Sequence, residues 1–212
     1  MTRILVADDH AVVREGVRKV LEDAFTDLQV GEAKDGHEAL RMYRDSDWDA
    51  VVLDIALPER SGIEVLKDIK AGNGKTPVLI LSVHPEEQYA VRALRMGAAG
   101  YLHKDSAPEE LQAAVRRVIE GGTYVSSSLA ERLALRLQDD AEGPAHERLS
   151  DREMQVLCML ADGKTVSDIA EELYLSVKTI STYRARLLEK MDMSNNAELI
   201  RYAIEHDLAG PS

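Results

Sequence analysis

The sequence has little of what a secreted or membrane protein needs. It contains one cysteine, so no disulfide can form within the chain, and Cys158 lies on an apolar helical stripe that predicts a small buried side chain. No apolar run approaches the roughly 20 residues of a membrane span. The N-terminus begins with a strand pattern rather than a signal segment. We therefore expect a cytoplasmic protein that makes no membrane contact.

Excess positive charge is also missing. The formal net charge of −12 argues against wholesale non-specific binding of nucleic acid, although it leaves room for a local basic face. With 212 residues, of which 45% are hydrophobic, the chain has the length and apolar content for two globular domains.

Short apolar runs alternate with helical patterns in the first half of the chain. The runs are Ile4–Ala7, Gln29–Ala33, Ala50–Leu53, Val78–Leu81 and Tyr101–Leu102. Each is too short for a buried helix, so the pattern predicts an α/β domain with five parallel strands and five helices. A capping box of Ser106 and Glu109 is predicted to open the fifth helix, and Gly121 and Gly122 to follow its end.

Polar residues stand at the ends of four of these runs: Asp8, Asp9, Asp54, Ser82 and Lys104. Because the carboxyl ends of parallel strands meet at one edge of the sheet, we expect one pocket with three carboxylates, a hydroxyl and an ammonium group. Repelling carboxylates favour a bound cation, and Mg²⁺ prefers such oxygen ligands. Taken alone, the pair Asp8 and Asp9 is as typical of a helix cap as of a metal ligand, and Asp54 alone is compatible with a turn residue.

This pocket suits phosphoryl transfer, which needs positioning and charge neutralisation. Asp54 is the central carboxylate and can accept a phosphoryl group as an acyl phosphate. Lys104 would place a positive charge on the phosphoryl oxygens, and Ser82 would donate one hydrogen bond.

The second half of the chain reads as all-helical. Leu129, Leu133 and Leu137 suggest a short helix, and the acidic stretch 138–148 reads as a linker. Ser150 and Glu153 form a predicted capping box, after which breaks near residues 163, 174–176 and 193–195 divide a compact four-helix domain.

The segment from Asp168 to Met191 has the layout of a helix-turn-helix, with Ser176 as N-cap of the second helix. Ile180, Leu187 and Met191 should face the core, with Val177 and Leu188 beside them. The outward positions are Lys178, Ser181, Thr182, Ala185 and Arg186. Residues 176–190 hold four basic side chains and one acidic one, whereas the rest of this half is acidic, so positive charge concentrates on one helix.

The residues Asp8-Asp9, Asp54 with Pro58 and Gly62, Ser82, and Gly100-Tyr101-x-x-Lys104 resemble the receiver domain of two-component response regulators. The resemblance implies a flavodoxin-like (βα)5 fold, Mg²⁺ dependence and phosphoryl transfer from a sensor histidine kinase to Asp54. It also implies metal contacts from Asp9, Asp54 and the backbone carbonyl of Ala56, with Asp8 acting through water. Ser82 and Tyr101 would report phosphorylation to the distal surface. His103 departs from the family, where an apolar residue is common, and we expect a surface side chain at the sheet's edge.

The C-terminal motifs resemble the LuxR-type DNA-binding domain, and the whole chain resembles the NarL/FixJ subfamily of response regulators. The resemblance implies DNA-facing roles for Lys178, Thr179, Ser181, Thr182 and Ala185, with Arg184 and Arg186 on phosphates. Small side chains toward the bases limit direct readout, which favours readout of DNA shape. The last helix, with Ala197, Ile200, Tyr202 and Ala203, either pairs two subunits on DNA or packs within its own domain.

The resulting expectation is a receiver domain at 1–122, a linker with a short helix at 123–147 and a helix-turn-helix domain at 148–212. Phosphorylation would control dimerisation, binding to promoter double-stranded DNA and hence transcription. This is a regulator rather than an enzyme. Two alternatives remain: a receiver that works without phosphate, and an aspartyl-phosphate hydrolase. Such hydrolases carry an Asp-x-Asp motif, in which the first Asp is the nucleophile and the second protonates the leaving group. Here Ala56 occupies the position of the second Asp. A dinucleotide module is weaker, because no G-x-G-x-x-G follows a strand.

Overall fold

The computed structural model describes residues 1–72, 75–83, 86–127, 129–131, 144–206 and 208. The chain forms two compact units, one within residues 1–135 and one within residues 136–212. Among the described residues, no helix combines the length and the apolar character of a membrane span.

The first unit is a five-stranded parallel sheet with helices between its strands, as predicted. The strands are β1 (Thr2–Ala7), β2 (Leu28–Ala33), β3 (Ala50–Leu53), β4 (Val78–Ser82) and β5 (Gly100–His103). The helices are α1 (Ala11–Ala24), α2 (Gly36–Asp45), α3 (Gly62–Ala71), α4 (Glu86–Arg95) and α5 (Pro108–Ile119). The strand order is β2-β1-β3-β4-β5, so the chain reverses its direction of travel across the sheet between β1 and β3. Ligand sites of open α/β sheets lie at this kind of reversal.

Burial explains why the central strands are continuously apolar. All four residues of β3 and all five of β4 are buried, because helices cover both faces of the sheet. One face packs on α1 and α5 through a cluster that includes Val6, Val52, Leu81 and Leu102. A rigid sheet of this kind fixes the positions of the residues that follow each strand.

The predicted capping box at the start of α5 is wrong. The N-cap is Ala107, which makes no side-chain cap, and Pro108 occupies the first turn. Proline lacks the N–H that a cap would satisfy and presets the helical φ, so the helix starts one residue later than Ser106 and Glu109 suggest. At its other end, Gly121 adopts a φ of +83°, a conformation that suits glycine.

The described part of the second unit, residues 144–206 and 208, contains a short 3₁₀ helix (Ala145–Arg148) and four α-helices. The α-helices are α6 (Asp151–Ala161), α7 (Val166–Glu172), α8 (Val177–Lys190) and α9 (Asn196–Glu205). The Ser150–Glu153 capping box and the Ser176 N-cap are present as predicted. Cys158 is buried. Ile180 and Leu187 of α8 and Met191, which directly follows it, are buried as predicted.

Val177 does not flank that core as expected, because 51% of it is exposed. It is the first residue of α8, one turn before the first buried residue of the stripe, Ile180.

The chain after α5 remains attached to the first unit. The backbone of Tyr124 pairs with that of Gly100 at the edge of β5, and Leu129 is 2% exposed. Residues 129–131 are helical, whereas Leu133 and Leu137 of the predicted short helix lie outside the described residues. The predicted 138–148 linker is described only from residue 144, and residues 145–148 there form the 3₁₀ helix.

Candidate functional site: an acidic pocket and a basic helix

Three carboxylates meet at the carboxyl edge of the sheet, where the strand order reverses. Asp8 and Asp9 follow β1, and Asp54 follows β3. One ligand atom from each of Asp8, Asp9, His10 and Asp54 can be chosen so that all lie within 4.8 Å of one another. Asp8 and Asp54 are 2% and 1% exposed, which makes this a pocket rather than a solvated acidic surface. The predicted convergence of these residues is therefore present in the structure.

Lys104 completes the pocket from the end of β5. Its Nζ lies 2.6 Å from Asp8 Oδ2 and 2.7 Å from Asp54 Oδ2. The Lys104 side chain is 8% exposed, so the ammonium group has exchanged most of its water for these two carboxylates. Such a charge-assisted pair is stronger than a surface ion pair, because little solvent screens it.

Backbone contacts hold the carboxylates in place. The amide of His10 donates to Asp8 Oδ1 at 2.8 Å, and the amide of Ala56 donates to Asp54 Oδ1 at 3.2 Å. His10, not an aspartate, is the N-cap of α1. The reading of the Asp pair as a side-chain helix cap is therefore excluded.

Gly62 lets α3 approach the backbone of Asp54. A Cβ at Gly62 would lie 1.9 Å from the Asp54 carbonyl oxygen, far inside van der Waals contact. The amide of Gly62 donates to the carbonyl of Ile55 at 3.0 Å. The glycine of the sequence motif thus serves close packing beneath the pocket.

The electrostatics of the pocket follow from its burial. Burial raises the pKa of the Asp54 carboxyl; Lys104 and the Ala56 amide oppose this rise and Asp8 adds to it, so the pKa ends above its ordinary value. Burial lowers the pKa of Lys104, but the carboxylates of Asp54 and Asp8 outweigh this and leave it raised. Lys104 is therefore a permanent cation at neutral pH. The carboxylates of Asp8, Asp9 and Asp54 outnumber the single ammonium group of Lys104, so a bound cation would further neutralise the pocket.

The donor set fits a hard divalent cation. Three carboxylates offer oxygen atoms within a few ångströms of each other, and Asp9, with 31% of its side chain exposed, opens the cluster to solvent. Oxygen donors with access for water are what Mg²⁺ prefers. The acidic cluster is thus a candidate metal site.

Ser82 lies on β4 and Tyr101 on β5, and the strand register pairs Ile80 with Tyr101 and Ser82 with His103. Ser82 and Tyr101 are both fully buried. The amide of Lys104 donates to the carbonyl of Ser82 at 2.8 Å, so the ends of β4 and β5 are joined beside the pocket. The roles predicted for Ser82 and Tyr101 in phosphorylation, and for the Ala56 carbonyl as a metal ligand, remain predictions.

Two residues at the pocket escaped the sequence reasoning. His10 Nδ1 lies 2.7 Å from Asp9 Oδ1, and Arg14 Nη1 donates to the carbonyl of Asp8 at 2.7 Å. The adjacency of His10 to the Asp pair was a usable signal. Arg14 carried none, because the first turn of α1 alone brings it back over the strand end.

A second candidate surface lies on α8. Lys178, Ser181, Thr182, Ala185 and Arg186 are exposed, and Thr179 is half-buried. A shallow concavity of about 310 Å³ is lined by Ser176, Lys178, Thr179, Thr182, Tyr183 and Arg186. The predicted outward face of the helix is therefore available to a ligand.

Some of these side chains already have local partners. Ser181 and Thr182 donate their hydroxyls to the carbonyls of Val177 and Lys178, at 2.8 and 3.0 Å. Arg184 is half-buried, and its Nε donates to Asn196 Oδ1 at 2.6 Å. Arg184 thus links α8 to the start of α9, which ties one part of its guanidinium group to the protein.

Helix α9 packs against its own unit on one face and is exposed to solvent on the other. Leu199 and Ala203 are fully buried, and the Tyr202 hydroxyl lies 3.0 Å from Nδ1 of the buried His146. Ile204, by contrast, is 59% exposed. The expected packing is present, and an apolar residue remains on the surface.

Comparison with known proteins adds an independent finding. Residues 4–116 match the family of response regulator receiver domains. Residues 147–203 match the bacterial regulatory proteins of the luxR family.

Similar proteins extend over nearly the full length. Over 209 residues the chain is 35% identical to the response regulator UvrY of Escherichia coli (strain K12), covering 98% of this chain and 96% of UvrY. It is 34% identical to the response regulator GacA of Pseudomonas aeruginosa, covering 98% of both. A solved structure of RcsB from Salmonella enterica serovar Typhimurium, bound to promoter rprA in the presence of the phosphomimetic BeF3⁻, aligns with a TM-score of 0.65. The identity is 26%, over 95% of this chain and 97% of that one.

Proposed function

Because the chain belongs to the DNA-binding two-component response regulators of the NarL/FixJ subfamily, we propose that Asp54 accepts a phosphoryl group and that this controls DNA binding through α8. The observation that carries this proposal is the contact of Lys104 with both Asp8 and Asp54, inside an acidic pocket at the sheet's reversal point. The proposed boundaries are a receiver at 1–122, a linker at 123–147 and a DNA-binding domain at 148–212. The proposed location is the cytoplasm.

The phosphoryl donor is a phosphohistidine of a sensor histidine kinase. A carboxylate oxygen of Asp54 attacks the phosphorus, a P–O bond forms, the P–N bond breaks, and the released imidazole takes up a proton. Lys104 stabilises the charge on the transferred oxygens, and the hydroxyl of Ser82 donates a hydrogen bond to one of them. Ala56 carries no acid that would protonate a leaving group, so the structure offers no support for a phosphate-ester hydrolase.

Mg²⁺ is the metal that this donor set fits best. Asp9, Asp54 and the Ala56 carbonyl would hold it directly, with Asp8 acting through water. When bound, it neutralises charge on the phosphoryl oxygens. His10 is better suited to orient Asp9 than to bind a hard cation, because its contact to that carboxylate is 2.7 Å and Mg²⁺ favours oxygen ligands.

The acyl phosphate shifts an existing conformational equilibrium. In the unphosphorylated protein the Lys104 ammonium group contacts the carboxylates of both Asp8 and Asp54. Phosphorylation moves this ammonium group from the Asp54 carboxylate to the phosphoryl oxygens, and Ser82 and Tyr101 rearrange on β4 and β5. The altered surface favours a homodimer, which binds two half-sites of promoter DNA. The RcsB structure with a phosphomimetic and a promoter is consistent with such a state in a relative.

On DNA, α8 enters the major groove. Lys178, Thr179, Ser181, Thr182 and Ala185 face the bases, while Arg186 and the remaining donors of Arg184 bind phosphates. The half-sites are read largely through DNA shape, because Ser181, Thr182 and Ala185 among the base-facing side chains are small.

Intact-mass spectrometry after incubation with acetyl phosphate and Mg²⁺ tests the first half of the proposal. We expect the wild-type chain to gain one phosphoryl group and Asp54→Asn to gain none. Asp105→Asn is the matched control, since its carboxylate lies at the same edge and is 90% exposed. A phosphorylated Asp54→Asn chain would show that the acceptor is another residue.

Salt-dependent DNA binding tests the second half. Replacing Lys178 and Arg186 by alanine should weaken binding to a duplex selected by the wild-type protein. It should reduce the slope of log K against log salt by about 1 per protomer, because Arg186 is the member of the pair placed on a phosphate. The control pair, Arg148→Ala with Lys164→Ala, removes equal charge outside α8 and should leave the slope unchanged. Equal slopes for both pairs would refute the placement of α8 on DNA.

A further inference from the structure

The imidazole of His103 joins the two loops that leave the phosphoryl pocket. Its Nε2 lies 2.8 Å from the carbonyl oxygen of Val83, and its Nδ1 lies 3.2 Å from the amide nitrogen of Asp105. Val83 directly follows Ser82, and Asp105 directly follows Lys104. One ring therefore touches the residue next to each of the two proposed phosphoryl-binding side chains.

We propose that His103 is a positioning residue that ties the loop after β4 to the loop after β5 and so holds Ser82 and Lys104 for phosphoryl transfer to Asp54. The proposal rests on the function proposed above. It adds a residue whose neighbours, rather than its own side chain, meet the phosphoryl group.

The strand pairing shows why such a tie is needed. Ser82 and His103 are partners in the β4–β5 register, and the amide of Lys104 donates to the carbonyl of Ser82. Beyond that bond β4 and β5 have ended. The contacts of His103 extend the connection by one residue on each side, to Val83 and Asp105, through a side chain instead of the backbone.

The contacts also define the state of the ring. The amide of Asp105 can only donate, so Nδ1 must accept and is unprotonated. The carbonyl of Val83 can only accept, so Nε2 carries the hydrogen and donates. Both bonds are satisfied by the neutral Nε2–H tautomer.

An ion pair with the Asp105 carboxylate is the competing arrangement, and it is weaker. That carboxylate lies 3.6 Å from Nδ1 and is 90% exposed, so solvent screens it. Protonating Nδ1 to form the pair would also abolish the bond from the Asp105 amide. The two backbone contacts thus outweigh the single side-chain contact.

Two variants separate hydrogen bonding from packing. His103→Phe keeps an aromatic ring but removes both hydrogen bonds. His103→Gln places its amide nitrogen the same number of bonds from Cβ as Nε2 and can still donate to Val83. Asp105→Asn keeps the backbone amide and serves as the control for the carboxylate.

The rate of phosphorylation by acetyl phosphate with Mg²⁺ is the first readout. We expect His103→Phe to be about threefold to tenfold slower than wild type, the effect of one or two ordinary hydrogen bonds, with His103→Gln recovering most of the rate. The increase in thermal stability on adding Mg²⁺ should be equal in wild type, His103→Phe and His103→Gln. A general loss of structure in a variant would reduce this increase. Wild-type rates in His103→Phe, or equal slowing in both variants, would overturn the proposal.

Amide hydrogen exchange at Asp105 is the second readout, and it does not depend on phosphorylation. The Asp105 amide should be protected in wild type and Asp105→Asn, and should exchange faster in His103→Phe. Unchanged exchange in His103→Phe would show that the ring does not hold this loop, whereas a wild-type protein that accepts no phosphoryl group would instead count against the proposed function.

Discussion

Replacing Asp54 by asparagine should make the first unit more stable in the absence of metal. Ligand atoms of Asp8, Asp9 and Asp54 lie within 4.8 Å of one another, which gives about 3.5 kcal/mol of repulsion per pair at an effective dielectric constant near 20. By the same relation, the 2.7 Å contact with Lys104 stabilises the Asp54 carboxylate by about 6 kcal/mol of attraction. Repulsion and attraction on Asp54 nearly cancel, so the cost of burying its charge decides the sign.

We therefore expect a gain of about 1–2 kcal/mol at pH 7 for Asp54→Asn, because the amide keeps the shape without the buried charge and Lys104 retains Asp8. For a domain of this size that is an increase in Tm of about 4–8 °C.

The pH dependence has a defined sign. Burial raises the pKa of Asp54 in the folded protein, with Lys104 opposing and Asp8 adding to the rise. The folded state thus holds a proton more tightly than the unfolded state does. This stabilisation is fully present below the unfolded pKa of about 3.9 and is lost as the pH rises through the folded pKa. The advantage of Asp54→Asn should accordingly shrink as the pH is lowered from 7 toward 4.

Mg²⁺ should reverse the order of stability. At about 100 times its Kd, a ligand that binds only the folded state adds about 2.7 kcal/mol, which exceeds the expected advantage of Asp54→Asn. Wild type should gain this and Asp54→Asn should gain much less. Asp105→Asn, which neutralises an exposed carboxylate nearby, should behave as wild type.

Fluorescence of Trp48 provides the assay. It is the single tryptophan of the chain and is 9% exposed within the first unit, so its signal reports the unfolding of that unit alone. Thermal scans with chelator and with Mg²⁺, from pH 4 to 7.5, give all the required comparisons. The reasoning is refuted if Asp54→Asn is less stable than wild type at pH 7 without metal, or if both gain equally from Mg²⁺.

Three further changes test the packing around the two sites. Gly62→Ala should destabilise the first unit by about 3 kcal/mol in urea unfolding followed by Trp48, since its Cβ would meet the Asp54 carbonyl at 1.9 Å; a loss under about 0.5 kcal/mol would contradict this. Lys104→Met should cost about 3 kcal/mol at pH 7 by leaving two buried carboxylates unpaired, and Mg²⁺ should restore part of it; a cost that Mg²⁺ leaves untouched would argue against a metal in the pocket. Glu153→Gln should cost the second unit about 1–2 kcal/mol by weakening the 2.7 Å pair with Lys190 and the capping box, as read by amide exchange in α6. Burial raises the pKa of Glu153, but Lys190 and Ser150 outweigh this and lower it, so the cost should be full at neutral pH and vanish as the pH falls through the folded pKa.

A matched control separates the Glu153 effect from simple charge removal. Glu172→Gln breaks a pair with Lys164 in which both side chains are substantially exposed. Its cost should stay below about 0.5 kcal/mol. Equal costs for the two variants would mean that burial of Glu153 is unimportant.

The sequence was sufficient for the sheet and for the pocket's charged residues, because strand ends are fixed by short apolar runs and parallel strands converge at one edge. Asp8, Asp54 and Lys104 meet for this reason alone. Helix α8 was equally accessible, since Ser176 marks its start and Ile180 and Leu187 mark its buried face.

Details that depend on local backbone geometry were not accessible. Pro108 shifted the start of α5 away from Ser106, and Val177 proved exposed because it lies in the first turn of its helix. The bonds of His103 to Val83 and Asp105 link residues of two loops, and no periodic pattern encodes such a contact. Sequence periodicity places elements, whereas side-chain bonds between loops require coordinates.

The central claim is that chemistry at Asp54 controls DNA binding by α8, and fluorescence anisotropy tests it most directly. A labelled duplex selected from a random pool by the acetyl-phosphate-treated chain is titrated with wild type and with Asp54→Asn, each with and without acetyl phosphate and Mg²⁺. We predict tighter binding after treatment of wild type and no change for Asp54→Asn. Equal tightening in both proteins, or none in a wild type whose mass shows full phosphorylation, would contradict the account.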